Sequence, residues 1–200
     1  MIILGITGPT GSGKTTALQR IQARGGVILD LDAVYHGLLK TDKQLLQALD
    51  SRFPGVIRDG VLDRKALGNI VFADPEALAD LNDITGRFIQ AETDRKLAEA
   101  EAQGISLCAI DAINLLETAL PQRCRCTIAV TAPGEVRVKR LMARDDISEE
   151  YARLRISAQQ PGEYFENRCD YTLFNDADSP EAFARRCDQL LDTILNTGKD

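Results

Sequence analysis

The chain has 200 residues, 44% of them hydrophobic, which is enough for one α/β domain with a modest insertion and too apolar for a disordered chain. A net charge of −6 excludes a general nucleic-acid binder, which needs a basic face to replace counterions, while 24 Lys and Arg leave room for a local phosphate pocket. No apolar run reaches bilayer length, and Met1-Ile2-Ile3-Leu4-Gly5-Ile6 lacks the charged start and cleavage site of a signal peptide, so a cytoplasmic protein with no membrane partner is expected.

Ile2–Thr7 is a short continuous apolar run, followed by a Gly-rich turn and a helical pattern from Lys14 to about Arg24, closed by Gly25-Gly26. Val27-Ile28-Leu29-Asp30-Leu31 reads as a second buried strand ending at Asp32, and a helix is predicted from about Ala33 to Leu49. Strand, helix and strand at this spacing predict a parallel sheet with right-handed crossovers. From Phe53 to Gly104 no strand is predicted. Leu62–Leu67 opens a short helix, and Asp74-Pro75-Glu76 opens a long one, with Asp at the N-cap and Pro at the first helical position. This block is expected to be a helical insertion that binds the acceptor in a kinase. Strands return at Ile105–Ile110, Cys126–Val130 and Tyr171–Phe174. Pro133–Ala143 is helical, and the charged stretch 144–168 suits a lid. Ser179-Pro180-Glu181 caps a last amphipathic helix running to about Leu195. The expected organisation is a core of 1–52, 105–143 and 169–200, an insertion at 53–104 and a lid at 144–168.

The five cysteines, Cys108, Cys124, Cys126, Cys169 and Cys187, mostly lie in or beside apolar strands and read as reduced core thiols. Cys124-x-Cys126 lacks the second close pair that structural zinc requires, and His36 is the single histidine.

Gly8-Pro9-Thr10-Gly11-Ser12-Gly13-Lys14-Thr15 fits G-x-x-x-x-G-K-S/T at every fixed position, after a strand and opening a helix. The glycines let backbone N–H groups turn around phosphate oxygens at the positive helix end. Lys14 supplies a cation for the β- and γ-phosphates, and Thr15 offers a hydroxyl to Mg²⁺. Gly8, Gly11, Ser12, Gly13, Lys14, Thr15 and the adjoining Thr16 are therefore expected to bind ATP. The loop serves kinases, GTPases and motor ATPases alike, so it does not choose the reaction.

Phosphoryl transfer to an alcohol needs a group that orients the hydroxyl and accepts its proton. Asp32 ends the second strand and so falls at the carboxyl edge of a parallel sheet, the edge of the phosphate loop. From position alone two readings stay open, a catalytic carboxylate and an N-cap of the next helix. Asp111, ending the third strand, is a weaker candidate for a water-mediated Mg²⁺ contact. Arg137, Arg140 and Arg144 recur on one helical face, either as a solvated surface or as forks that clamp the transferring group.

Over nearly its full length the chain resembles the dephospho-CoA kinase family. The resemblance is carried by Ile6-Thr7-Gly8 into Gly11–Thr15, by Val27–Asp32, and by Asp59-Gly60-Val61-Leu62-Asp63-Arg64-Lys65-Ala66-Leu67 with Ile70–Pro75. Leu115-Leu116-Glu117, Arg140-x-x-x-Arg144-Asp145, Arg155-x-x-x-Gln159 and Cys169–Asn175 add to it. It implies a three-layer α/β P-loop NTPase fold with a helical substrate-binding insertion and a lid. It also implies ATP-dependent phosphorylation of the 3′-hydroxyl of dephospho-CoA, the last step of CoA biosynthesis. On the same basis Asp32 is the catalytic base, Arg140 a contact to the nucleotide phosphates, Arg144 the start of the lid, and Asn175 part of the adenine pocket. The partner is a small molecule, and the protein is expected to be a monomer or a weak homo-oligomer. The chain departs from the pattern at Gly86, where the family often has histidine, at Ile113 for proline, at His36 for arginine and at Arg137 for glutamine; Pro161–Arg168 also matches poorly. Another small-molecule P-loop kinase and a nucleotide-binding sensor without turnover are the rival readings; a GTPase lacks its Asn-Lys-x-Asp motif.

Overall fold

The structure is a computed structural model that describes residues 1–176 and 179–197; residues 198–200, the end of the expected core, lie outside it. In chain order the elements are β1 (Ile2–Thr7), α1 (Lys14–Gln22), β2 (Val27–Asp30), α2 (Leu31–Thr41), α3 (Lys43–Arg52), β3 (Ile57–Arg58), β4 (Val61–Leu62), α4 (Arg64–Val71), α5 (Pro75–Ala102), β5 (Leu107–Asp111), β6 (Cys126–Thr131), α6 (Gly134–Asp145), α7 (Glu149–Ser157), α8 (Gly162–Glu166), β7 (Tyr171–Phe174) and α9 (Pro180–Asn196). The chain divides into two compact units, one of Met1–Leu29 with Ala100–Asp200 and one of Asp30–Glu99. The helical unit thus starts well before the position expected from sequence, taking in α2 and α3.

In the larger unit a five-stranded sheet runs β2-β5-β1-β6-β7. Its strands β5, β1, β6 and β7 pair in parallel, with Ile2 opposite Leu107, Leu4 opposite Cys126 and Ile128 opposite Tyr171. The central strands are continuous apolar runs because helices cover both faces. Leu4, Ile6, Ala109, Ile128 and Val130 are sealed from solvent together with Ala17 and Ile21 of α1. On α9, Phe183, Cys187, Leu191 and Ile194 recur at helical spacing and add a buried stripe to that core, each large side chain contributing about 1.5–3 kcal/mol. Its start is as the sequence predicts, with Ser179 Oγ accepting from Ala182 N at 3.2 Å and Pro180 in the first turn. The cysteines of this unit are free thiols. Burial pushes Cys108, Cys126 and Cys187 up to about 11 and Cys124 up to about 12, so all four stay protonated at neutral pH. Val138, Leu141 and Ala152 form a second small core that fixes α7 against α6.

The smaller unit departs from the sequence-based expectation in two places. The single helix predicted from Ala33 to Leu49 is two, because Asp42 leaves the helical conformation and caps α3, accepting from Gln44 N and Leu45 N at 2.9 Å. Where no strand is predicted, β3 and β4 form an antiparallel hairpin about Asp59 and Gly60, both at positive φ. Asp-Gly with two positive φ angles is the chemistry of a type I′ turn. Asp63 then caps α4, accepting from Ala66 N at 2.9 Å. Among the described residues no helix is long and apolar enough to cross a membrane.

Candidate active site

The turn between β1 and α1 is fixed by its glycines and by donors from outside it. Gly8 has φ +136°, and a Cβ there would stand 2.0 Å from the Val130 carbonyl oxygen; Gly13 has φ +108°, and its Cβ would meet Asn175 Nδ2 at 2.3 Å. Neither position admits a side chain. Three successive carbonyls of the loop are held by side chains from later in the chain. Arg137 Nε donates to Thr10 O at 2.8 Å, and Arg140 Nη1 donates to Gly11 O at 3.3 Å and Ser12 O at 3.2 Å. Asn175 Nδ2 also donates to Ser12 O, at 2.8 Å. With the carbonyls spent on these donors, the first amides of α1, orphaned as at any helix start, are left for a ligand.

Beside the loop lies a cavity of about 280 Å³, lined by Pro9–Thr15, Asp111, Arg140, Leu141 and Arg144. Of the residues expected at the nucleotide, Gly11, Ser12, Gly13, Lys14, Thr15, Arg140 and Arg144 line it together, and Gly8 shapes the turn behind it. Lys14 Nζ donates to Gly8 O at 2.9 Å. Ser12 is 1% exposed, and its Oγ has no hydrogen-bond partner among the described residues, which suits a wall built for a polar ligand. Burial pulls the Arg137 and Arg140 guanidinium groups below their ordinary value, but arginine stays charged. Arg144 is exposed and forks onto Asp145 at 2.7 and 2.9 Å, while Arg155 reaches the same carboxylate at 2.6 Å. These guanidinium groups, Arg144 first, hold the Asp145 carboxyl well below the usual range.

Thr16 stands in the first turn of α1, half-buried and outside the cavity lining. Asn175, expected at the adenine, is 4% exposed with its amide nitrogen engaged under the loop. Its backbone N–H donates to Thr131 O at 2.7 Å. In the helical unit Asp30 is the N-cap of α2, its Oδ1 accepting from Asp32 N at 2.9 Å and Ala33 N at 3.1 Å. The strand therefore ends at Asp30 rather than Asp32, and the cap is Asp30. Asp32 occupies the first turn, exposed, and its carboxylate has no hydrogen bond or ion pair among the described residues. Nearby in the same unit Arg64 meets His36 Nδ1 at 3.2 Å.

Sequence reasoning did not find the ring that closes on Thr10. Gln159 Oε1 accepts from Thr10 N at 2.9 Å and from Arg137 Nη2 at 3.4 Å, so both polar groups of one backbone residue are held from outside. In the sequence Gln159 is marked only within Arg155-x-x-x-Gln159, and Arg137 as one of three arginines on a helical face. Among the described residues no group of three or more His, Cys, Asp or Glu could hold a metal ion.

Comparison with known proteins agrees with this geometry. The family model for dephospho-CoA kinase matches residues 2–181. A dephospho-CoA kinase of Anaeromyxobacter dehalogenans is 36% identical over 193 residues, covering 96% of this chain and 91% of the relative. A solved Thermus thermophilus structure superposes with a TM-score of 0.78 at 32% identity, over 100% of this chain and 98% of that one. The Campylobacter jejuni dephospho-CoA kinase, at 23% identity and 96% coverage of each chain, shares the fold with a TM-score of 0.58. The chain belongs to the dephospho-CoA kinase family.

Proposed function

We propose that this protein transfers the γ-phosphoryl group of ATP to the 3′-hydroxyl of dephospho-CoA, releasing ADP and CoA in the last step of CoA biosynthesis. The observation that carries the reading is the family match across residues 2–181, laid over a phosphate loop whose carbonyls are drawn aside by Arg137, Arg140 and Asn175. In this reading Gly11–Thr15 hold the nucleotide phosphates, and Lys14 exchanges its bond to Gly8 O for the β- and γ-phosphate oxygens. Arg140 lines the cavity and adds charge where the transferring group carries it, as does Arg144. Asp32 accepts the proton of the attacking 3′-hydroxyl as the O–P bond forms and the bond to ADP breaks. Two facts support that role: the cap of α2 is Asp30, and the Asp32 carboxylate is exposed and uncommitted.

Magnesium fits this site, because the Thr15 hydroxyl makes no hydrogen bond among the described residues and Asp111 lines the same cavity. Bound there with the nucleotide, it would neutralise charge on the phosphate oxygens.

A coupled ADP-release assay across dephospho-CoA, pantetheine, AMP and shikimate tests the reading. Turnover is expected with dephospho-CoA, with phosphorus NMR showing a new 3′-phosphomonoester. Release with another acceptor and none with dephospho-CoA would assign the site to a different small-molecule kinase.

A further inference from the structure

Arg137 is 5% exposed, and no carboxylate pairs with it among the described residues. Its hydrogen bonds do not explain the choice of residue. Nε donates to Thr10 O at 2.8 Å, and Nη2 leans on Gln159 Oε1 at 3.4 Å; a neutral amide donor would satisfy the same oxygens. What arginine adds is a full positive charge in a place with little water. A buried charge without a partner is costly, and the cost falls when an opposite charge arrives nearby. The α6 backbone at Arg137 packs directly on the loop, its carbonyl oxygen standing 3.1 Å from where a Cβ on Gly11 would be. Arg140, one turn later, borders the cavity; Arg137 stands behind the loop and does not.

We propose that Arg137 is a buried counter-charge for the nucleotide's polyphosphate, a positioning residue that touches no ligand and tightens phosphate binding through the loop it holds. The inference rests on the reading of the loop as the ATP site. Its hydrogen-bond partners among the described residues are neutral oxygens, Thr10 O and Gln159 Oε1. Phosphates on the far side of the loop supply the missing anion. The charge acts on the phosphates that ATP and ADP share, so the effect belongs in nucleotide affinity.

The test compares the parent with R137Q, which keeps an amide donor and loses the charge, and R137K, which keeps the charge and loses the fork. Calorimetry with ADP and with inorganic tripolyphosphate, at 10 °C so that a less stable variant is still folded, gives the affinities; steady-state kinetics give KM and kcat. R137Q is expected to bind both ligands about tenfold more weakly and to raise KM for ATP, with kcat and KM for dephospho-CoA within about twofold. R137K is expected to recover most of the loss. A loss of less than threefold in R137Q, or an R137K no tighter than R137Q, overturns the inference and leaves Arg137 as a hydrogen-bonding brace. If the parent itself binds neither ADP nor tripolyphosphate, the nucleotide reading of the loop fails first.

Discussion

At the start of α2, two carboxylates lie two residues apart in chemically distinct settings. Asp30 has an oxygen committed to the amides of Asp32 and Ala33, while Asp32 is exposed and has no such bond. Substitution should separate them. Asp30→Ala loses the cap, about 1 kcal/mol, and a drop in Tm of about 2–4 °C is expected for a chain of this size. Asp32→Asn removes no protein contact, so its Tm is expected to stay near the parent's while kcat falls by about 10²–10⁴, the range for a positioned acid–base group, and ATP affinity changes little. Thermal melts and steady-state kinetics on both variants check this. A melting loss in Asp32→Asn with kcat preserved would return Asp32 to a structural role. Position alone left cap and catalyst equally open, because the difference turns on whether the helix begins at Leu31 or at Ala33. A shift of two residues at a helix start cannot be read from apolar spacing, which says nothing about which carboxylate finds the free amides.

Elements with a local chemical signal were legible; elements defined by tertiary bonds were not. Asp74-Pro75 and Ser179-Pro180 open α5 and α9 as their cap chemistry predicts, and the eight residues of the phosphate loop carry their own pattern. The hairpin of β3 and β4 was missed because strands of two residues are too short to show alternation, although Asp59-Gly60 is a type I′ signal. The break between α2 and α3 was missed because Asp42 sits inside an apolar rhythm that continues on both sides. The bracing of the loop by Arg137, Arg140 and Asn175 depends on residues 127, 128 and 163 positions away, which no local pattern reveals. Within α5, Gly86 is exposed, and a Cβ on it would meet nothing within 4 Å. Gly86→Ala should therefore add about 0.5–1 kcal/mol by the helix preference alone and raise Tm by about 1–4 °C. Unchanged or lower Tm in differential scanning calorimetry would mean that this glycine answers to a constraint other than the helix.

At the scale of the molecule, the phosphate loop is only as well placed as the helix it opens, and α1 is held at its far end by charge. Arg20 Nε donates to Asp188 Oδ1 at 3.0 Å, Arg24 also pairs with Asp188, and Arg24 Nη2 reaches Asp192 at 2.8 Å. Apolar packing does the rest, since Ala17 and Ile21 of α1 share a core with Phe183 and Cys187 of α9. The Asp188 side chain is 27% exposed, so solvent screens the network and its worth is about 1 kcal/mol, well below the hydrophobic share. The hydrogen bonds from Arg20 and then Arg24 lower the pKa of the Asp188 carboxyl in the folded chain. A depressed carboxyl contributes stability that is present above its unfolded value, near about 4, and is lost as pH falls through the folded value. Asp188→Asn is accordingly expected to melt about 2–4 °C below the parent at pH 7, and the gap is expected to close progressively below about pH 4 as the parent's own carboxylate takes up its proton. Melting curves of both proteins at pH 7, 5, 4 and 3 decide it. Equal Tm values at pH 7 would show that packing alone fixes α9 against α1, and a gap that does not narrow at all between pH 5 and pH 3 would show that the lost interaction is not the ionic one.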